Sequence, residues 1–421
     1  MLSLKYIREN VDLVRHAIQV KGMDADVDTL LSLDKKRREL IQKSDNLKAE
    51  RNQTSEQIGK LKQQGQDAQE AIKAMRKVAD DIKKIDQEVK DCEEKIHKIR
   101  IFIPNIPHQS VPEGDETNNK IIKEWGQVTK HDFKIKPHWE IGEKLKLIDF
   151  NRGSRLSGTH FVSFTGTGAK LQRALINFML DMHTEKHGYR ETWVPFIVKR
   201  DMMFGTGQLP KLEEDMYLVE KDDLFLIPTA EVPVTNLHRE EILRGENLPL
   251  CYTAYTPCFR REAGSYGAET RGLMRIHQFN KVEMVKFVEP ENSYDELELL
   301  LKDAEEVIQA LELPYRVAIL ATGDLSFAAA KCYDIEVFAP GVDKWLEISS
   351  CSNFTDFQAR RMNIRYRKKK GDKLRFVHTL NGSGVALPRL IIAILENFQT
   401  DEGTVIVPKA LRPYLKMDVI D

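Results

Sequence analysis

The sequence has no run of 18 apolar residues, so no helix is expected to span a membrane. Its five cysteines (Cys92, Cys251, Cys258, Cys332 and Cys351) include no pair at the two-residue spacing of common zinc sites. That spacing argues against bound zinc, and still more against a disulfide framework. Free thiols in a reduced, cytoplasmic protein are expected, with Cys251, Cys258, Cys332 and Cys351 as small core residues. The opening stretch MLSLKYIREN is charged from residue 5 onward and has no apolar h-region, so a secretory signal is not expected. Net charge is also missing: 64 Lys and Arg against 65 Asp and Glu leave −1. Any polyanionic partner must therefore be argued from segments. No internal repeat is visible.

What the sequence does contain divides into two textures. At 421 residues the chain is too long for one core, and 41% hydrophobic residues are enough to build more than one. From about residue 28 to 100 it is highly charged and poor in aromatics. Apolar or small residues recur at alternating steps of three and four, through Leu30, Leu33, Leu40, Leu47, Ile58 and Leu61. A second series runs Ile72, Met75, Ile82, Ile85, Val89, Cys92, Ile96 and Ile99. A period near 3.5 marks a coiled-coil seam. Gly65 in KQQGQD breaks it, so two helices form an antiparallel hairpin. Each would extend roughly 50 Å at about 1.5 Å per residue. Arg37, Ser44 and Arg51 interrupt the first seam. Residues 31–100 hold 18 Lys and Arg against 14 Asp and Glu. A dimerising coiled coil and a rod that contacts a polyanion both fit this excess.

FIPNIPHQSVPEG, with three prolines, ends the second helix and reads as a stiff linker over 102–114. The expected domains are therefore 1–101, the linker, and 115–421. Beyond the linker come strand-like runs such as CYTAYTPCF, HQFNKVEMVKFVE and YDIEVF. The pattern of the helical SYDELELLLKDAEEVIQAL predicts a Ser293–Glu296 capping box at its start. Close-set strands predict an α+β domain: a mainly antiparallel sheet flanked by helices.

The stretch CFRREAGSYGAETRGLMRIHQF, from Cys258 to Phe279, carries Arg260, Arg261, Arg271 and Arg275, with Glu262 among them. In the strand that follows, alternation puts Phe279, Lys281 and Glu283 on one face. Phe279 and Glu283 then stand about 13 Å apart, roughly the length of an amino acid joined to a nucleotide. An aromatic stacks on a base and a carboxylate holds an ammonium. Taken alone, a core Phe and a solvated Glu explain the pair equally. An arginine fork matches a phosphate.

Arg260-x-Glu262, a Gly-rich loop, and Arg275-x-x-x-Phe279 together resemble the second signature motif of class II aminoacyl-tRNA synthetases. The loop in that resemblance is GSYGAETRG. The stretches TAE (229–231), YDIEVFAPGVDKWLEISSCSNFTDFQARR and LNGSGVALPRLIIAILENFQ, with the N-terminal hairpin, resemble the seryl-tRNA synthetases over essentially the whole chain. The helix from Gly168 to about His187, followed by ETWVPFIV with Pro195, resembles the first motif of the class, which implies a homodimer.

The resemblance implies a ligase that forms seryl-adenylate from L-serine and ATP and then charges tRNA(Ser). Whether tRNA(Sec) is a second acceptor is left open. It implies Arg260 and Arg389 as catalytic, with Arg260 on the α-phosphate and the serine carboxylate. Glu262 would read the adenine amino group, Arg275 would hold the γ-phosphate, and Phe279 and Arg389 would sandwich the base. Ile276, His277, Gln278, Ile348 and Ser349 complete the implied ATP-binding stretches. Arg261 is assigned an ATP or tRNA contact, and His277 a structural or backbone contribution. Thr229, Ala230, Glu231, Glu283 and Ser383 would bind serine, and Glu347 and Ser350 would hold Mg²⁺ with ATP. The hairpin would grip tRNA(Ser).

Two points run against a simple transfer of these roles. Glu347 and Ser350 are three apart, so a regular strand would point them to opposite faces; they converge only at a strand end or bulge. Pro388 stands where glycine is common before the arginine. The competing readings are an amino acid ligase acting on a carrier protein and a non-catalytic RNA-binding coiled-coil scaffold. The basic run RYRKKKGDK (365–373) is a solvated loop or an RNA backbone contact.

Overall fold

The computed structural model describes residues 1–263 and 271–421, and the chain divides into two compact units, Met1–Pro104 and Asn105–Asp421. Most of the GSYGAETRG loop, residues 264–270, lies outside the described residues.

In the first unit, two short helices precede a hairpin of α1 (Val27–Gln63) and α2 (Gln69–Arg100). Asp26 caps α1 by accepting from the Thr29 N–H, which satisfies one of the four orphan donors at that end. Gly65 in the turn has φ +69°, a conformation costly for residues with a Cβ. The apolar seam is buried at Leu30, Ile58, Ile82, Ile85, Cys92 and Ile96. Two of the polar interruptions of the first seam, Arg37 and Ser44, find partners on the facing helix. Arg37 donates to Glu93 at 3.3 Å and to Asp34 at 3.0 Å, and the Ser44 hydroxyl donates to Asp86 at 2.8 Å. Such pairs fix the register of two helices that apolar contacts alone would let slide.

The second unit is built on an eight-stranded sheet. Its strands in chain order are β1 (Lys120–Trp125), β2 (Arg190–Glu191), β3 (Leu250–Phe259), β4 (Gln278–Val288), β5 (Tyr315–Ile319), β6 (Lys331–Ala339), β7 (Lys344–Asn353) and β8 (His378–Ala386). They are arranged β1-β5-β6-β7-β8-β4-β3-β2, all antiparallel except β2 with β3. This is the α+β architecture expected from the close-set strands. Three helices, α3 (Gly166–Asp181), α4 (Ser293–Ala310) and α5 (Leu387–Asn397), pack with one face of the sheet in the main core. Val282, Met284 and Val288 of β4 point into that core. The alternate residues Val285 and Phe287 join a smaller cluster on the other side. At the opposite end of β4, that second face carries Phe279, Lys281 and Glu283.

One local expectation fails. Ser293 is the first residue of α4 rather than its cap, which is Asn292. The Ser293 hydroxyl bonds the Pro290 carbonyl, and Glu296 reaches the buried Lys286 ammonium at 3.0 Å. A buried cation drew the carboxylate away from the helix end. Among the described residues no helix is long and apolar enough to cross a membrane.

Candidate active site

Three neighbouring strands, β7, β8 and β4, with Arg260 just past the end of β3, present side chains to two adjoining cavities of about 410 and 110 Å³. Arg260, Lys281, Glu347 and Ser383 line both, so the two chambers share a wall.

Two bulges shape that wall. Between β6 and β7 the register passes from Ile335↔Ser349 to Glu336↔Glu347, so Ile348 is an extra residue. Glu347 and Ser350, three apart, thereby line the same larger cavity. Between β4 and β8 it passes from Val282↔Val385 to Glu283↔Ser383, leaving Gly384 extra. A bulge re-aims one side chain without ending the ladder.

In the smaller chamber, Phe279 forms one side, with the Arg260 guanidinium 5.3 Å from its ring centroid. Arg275 meets Glu262 at 3.3 Å, and Arg389, in the first turn of α5, donates to the Glu347 carbonyl at 2.7 Å and faces its carboxylate at 3.3 Å. Arg275 and Arg389 thus each have a carboxylate partner that an arriving phosphate could replace. Pro388 sits at the start of α5, where a missing N–H breaks no helical bond, and also lines this chamber.

The larger chamber ends in acid. Glu231 is buried and accepts from Gln358 at 2.7 Å, and Gln358 is itself held by the Thr379 hydroxyl at 2.7 Å. Glu283, also buried, lines neither cavity; it lies behind the wall, paired with Lys281 at 2.6 Å and accepting from Asn381 at 2.8 Å and from Thr229 at 3.3 Å. Burial, and then the Glu283 charge, push the Glu231 carboxyl up to about 7. Asp334 is raised well above the carboxylate range by burial, with Glu347 adding to the effect. It stands opposite Ser350 in the ladder.

Thr229, Glu231, Glu347, Ser350 and Ser383 line the larger cavity, and Glu262, Arg275, Ile276, Phe279, Ile348 and Arg389 the smaller. Others of the expected set line neither cavity. His277 accepts the Arg260 N–H at its carbonyl (2.9 Å) and donates from Nδ1 to the Arg260 carbonyl (3.0 Å). The Arg261 amide donates to the Asp215 carbonyl, and the Ser349 hydroxyl to the Ser383 carbonyl. Ala230 is fully buried and Gln278 is exposed. Sequence reasoning gave no role to Lys281, Asn381 or Gln358. Lys281 did stand on the Phe279–Glu283 face, and Asn381 and Gln358 lie inside the motifs quoted above.

A carboxylate and a hydroxyl converging from Glu347 and Ser350 are hard oxygen donors of the kind Mg²⁺ takes. Among the described residues no three His, Cys, Asp or Glu side chains form a metal cage.

Residues 216–398 match the family model for the tRNA synthetase class II core domain (G, H, P, S and T). The second unit thus carries the catalytic core of a class II aminoacyl-tRNA synthetase. Residues 1–107 match the seryl-tRNA synthetase N-terminal domain. A serine–tRNA ligase of Caldanaerobacter subterraneus subsp. tengcongensis is 58% identical over 421 residues, which cover 100% of this chain and 99% of the relative. The crystal structure of Pyrococcus horikoshii seryl-tRNA synthetase complexed with ATP matches with a TM-score of 0.95 at 39% identity, covering 100% and 99% of the two chains. The cytoplasmic serine–tRNA ligase of Naegleria fowleri in complex with AMP matches at 0.90 and 28% identity, with the same coverage. The chain belongs to the seryl-tRNA synthetase family, the serine–tRNA ligases of class II.

Proposed function

We propose that the two chambers hold ATP and L-serine side by side for two-step acyl transfer. The observation that carries this is the shared wall of Arg260, Lys281, Glu347 and Ser383, with Phe279 at one end and the buried Glu231 at the other. Adenine stacks on Phe279 and is covered by Arg389, Glu262 accepts from its amino group, and Arg275 takes the γ-phosphate. Arg260 spans the α-phosphate and the serine carboxylate. Glu231 and Glu283, with Thr229, receive the ammonium and side chain, and Ser383 faces the hydroxyl region.

In the first step a serine carboxylate oxygen attacks the α-phosphorus in line, and the bond to the bridging oxygen of pyrophosphate breaks. In the second, a terminal ribose hydroxyl of tRNA(Ser) attacks the activated carbonyl and AMP leaves. No protein nucleophile is needed: orientation and neutralisation of charge lower the barrier. Glu347 and Ser350 would hold Mg²⁺, which supplies positive charge to the phosphates when bound. Alanine is rejected because buried acceptors lose the serine hydroxyl. The hairpin of α1 and α2 binds the tRNA. The chain works as a homodimer, and Trp193, 77% exposed in the segment after α3, suits such a contact. The compartment is the cytoplasm.

ATP–pyrophosphate exchange tests the reading. Serine should drive exchange and alanine should not; equal exchange with alanine removes the pocket assignment.

A further inference from the structure

The helix His138–Lys144 begins with a histidine that is 0% exposed and plays no part in the site described above. Its Nε2 accepts the Leu273 N–H at 3.0 Å, and its Nδ1 lies 2.8 Å from Glu396 Oε1. A backbone amide can only donate, so Nε2 must carry the lone pair and Nδ1 the hydrogen. The ring in this arrangement is neutral and bridges a carboxylate to a main-chain amide.

Both ends of the bridge lead to the nucleotide chamber. Glu396 lies on α5, about two turns beyond Arg389. Its carboxylate also accepts the N–H groups of His138 (2.9 Å), Gly341 (2.8 Å) and Val342 (3.2 Å). Leu273 opens the run Leu273, Met274, Arg275 and Ile276 that walls the smaller cavity. Two further contacts hold the same surfaces together. The Arg271 guanidinium lies 4.7 Å from the Trp139 ring centroid, and Lys136 and Gln399 exchange two hydrogen bonds at 2.9 and 3.0 Å. The fit is close: a Cβ at Gly272, where φ is +74°, would stand 2.2 Å from His138 Nε2.

We propose that His138 is a positioning residue for ATP. Through Glu396 and Leu273 it fixes the Arg389 helix and the Arg275–Phe279 segment relative to each other, and so sets the width of the nucleotide slot. The inference rests on the reading of that chamber as the ATP site.

The test uses the full-length enzyme in serine-dependent pyrophosphate exchange, with KM for ATP and for serine measured separately. In His138→Asn the amide reaches the Nδ1 position, keeping Glu396 and losing Leu273. In His138→Gln it reaches the Nε2 position and can still accept from Leu273, while the main-chain N–H at 138 keeps its bond to Glu396. The Asn variant should raise KM for ATP on the order of tenfold, the worth of one buried hydrogen bond, while KM for serine moves by less than about twofold. The Gln variant should stay within about threefold of wild type. Gly272→Ala, which drives a methyl onto Nε2 from the other side, should reproduce the ATP-specific rise if the Asn variant does not fold. Equal effects of Asn and Gln, or equal rises for both substrates, would overturn the proposal. Phe279→Ala separates the two failures. If it leaves KM for ATP unchanged, the reading of the chamber is wrong. If it raises KM for ATP and neither His138→Asn nor Gly272→Ala does, only the positioning role falls.

Discussion

Titrating Glu231 gives a prediction with a sign and a size. Burial and the neighbouring Glu283 charge raise its carboxyl from 4.5 to about 7, against the pull of Gln358, Lys281 and Arg260. Without serine, the folded chain keeps a proton that the unfolded chain releases above 4.5. The associated stability is fully present below that pH and is lost as pH rises through about 7. It amounts to about 3 kcal/mol at ~1.36 kcal/mol per pH unit. A substrate ammonium needs the ionised form, so serine binding must expel the proton. Below pH 7 the KM for serine should therefore climb by about tenfold per pH unit, and above it level off. Pyrophosphate exchange at saturating ATP, run from about pH 6 to 8.5, reads this directly. Glu231→Gln should show no such bend. At the alkaline end its KM should lie roughly ten- to a hundredfold above wild type, as expected for loss of a charge-assisted hydrogen bond. A flat wild-type profile, or the same bend in the Gln variant, would refute the reasoning.

Other outcomes follow from the same geometry. Phe279→Ala should raise KM for ATP by about tenfold or more, since base stacking is worth roughly 1–3 kcal/mol, and leave KM for serine in place. Ser350→Ala should raise the Mg²⁺ concentration for half-maximal exchange by roughly tenfold, because an oxygen donor is lost. Removing residues 28–100 should leave exchange intact and abolish tRNA charging; unimpaired charging would mean the hairpin serves another purpose. Ser44→Ala should lower the melting temperature of the first unit, because the Asp86 carboxylate loses a donor worth about 1 kcal/mol.

Much of the hairpin could be read from its sequence because a 3.5-residue apolar period has one stable solution, two helices seam to seam. Arg37 and Ser44 looked like flaws in that seam only while their partners, Glu93 and Asp86, were unknown. The face shared by Phe279, Lys281 and Glu283 followed from strand alternation. The convergence of Glu347 with Ser350 did not, because an extra residue such as Ile348 leaves no mark on a period of two. The importance of Lys281 was hidden for another reason. A lysine on a strand is ordinarily solvated, and only the fold reveals that its ammonium lies against Glu283 between two cavities. The role of His138 depends on Leu273 and Glu396, which are 135 and 258 residues away in the chain. No local pattern could join them.

The central claim is that one strand face holds a base at Phe279 and a small zwitterion at Glu231 and Glu283, with Arg260 between them. A crystal structure with a non-hydrolysable seryl-adenylate analogue tests it most directly. The account predicts the adenine flat against the Phe279 ring, the phosphate on Arg260 and the ammonium within hydrogen-bond reach of Glu231. An analogue bound with its base away from Phe279, or with its ammonium turned from the acids, would contradict it.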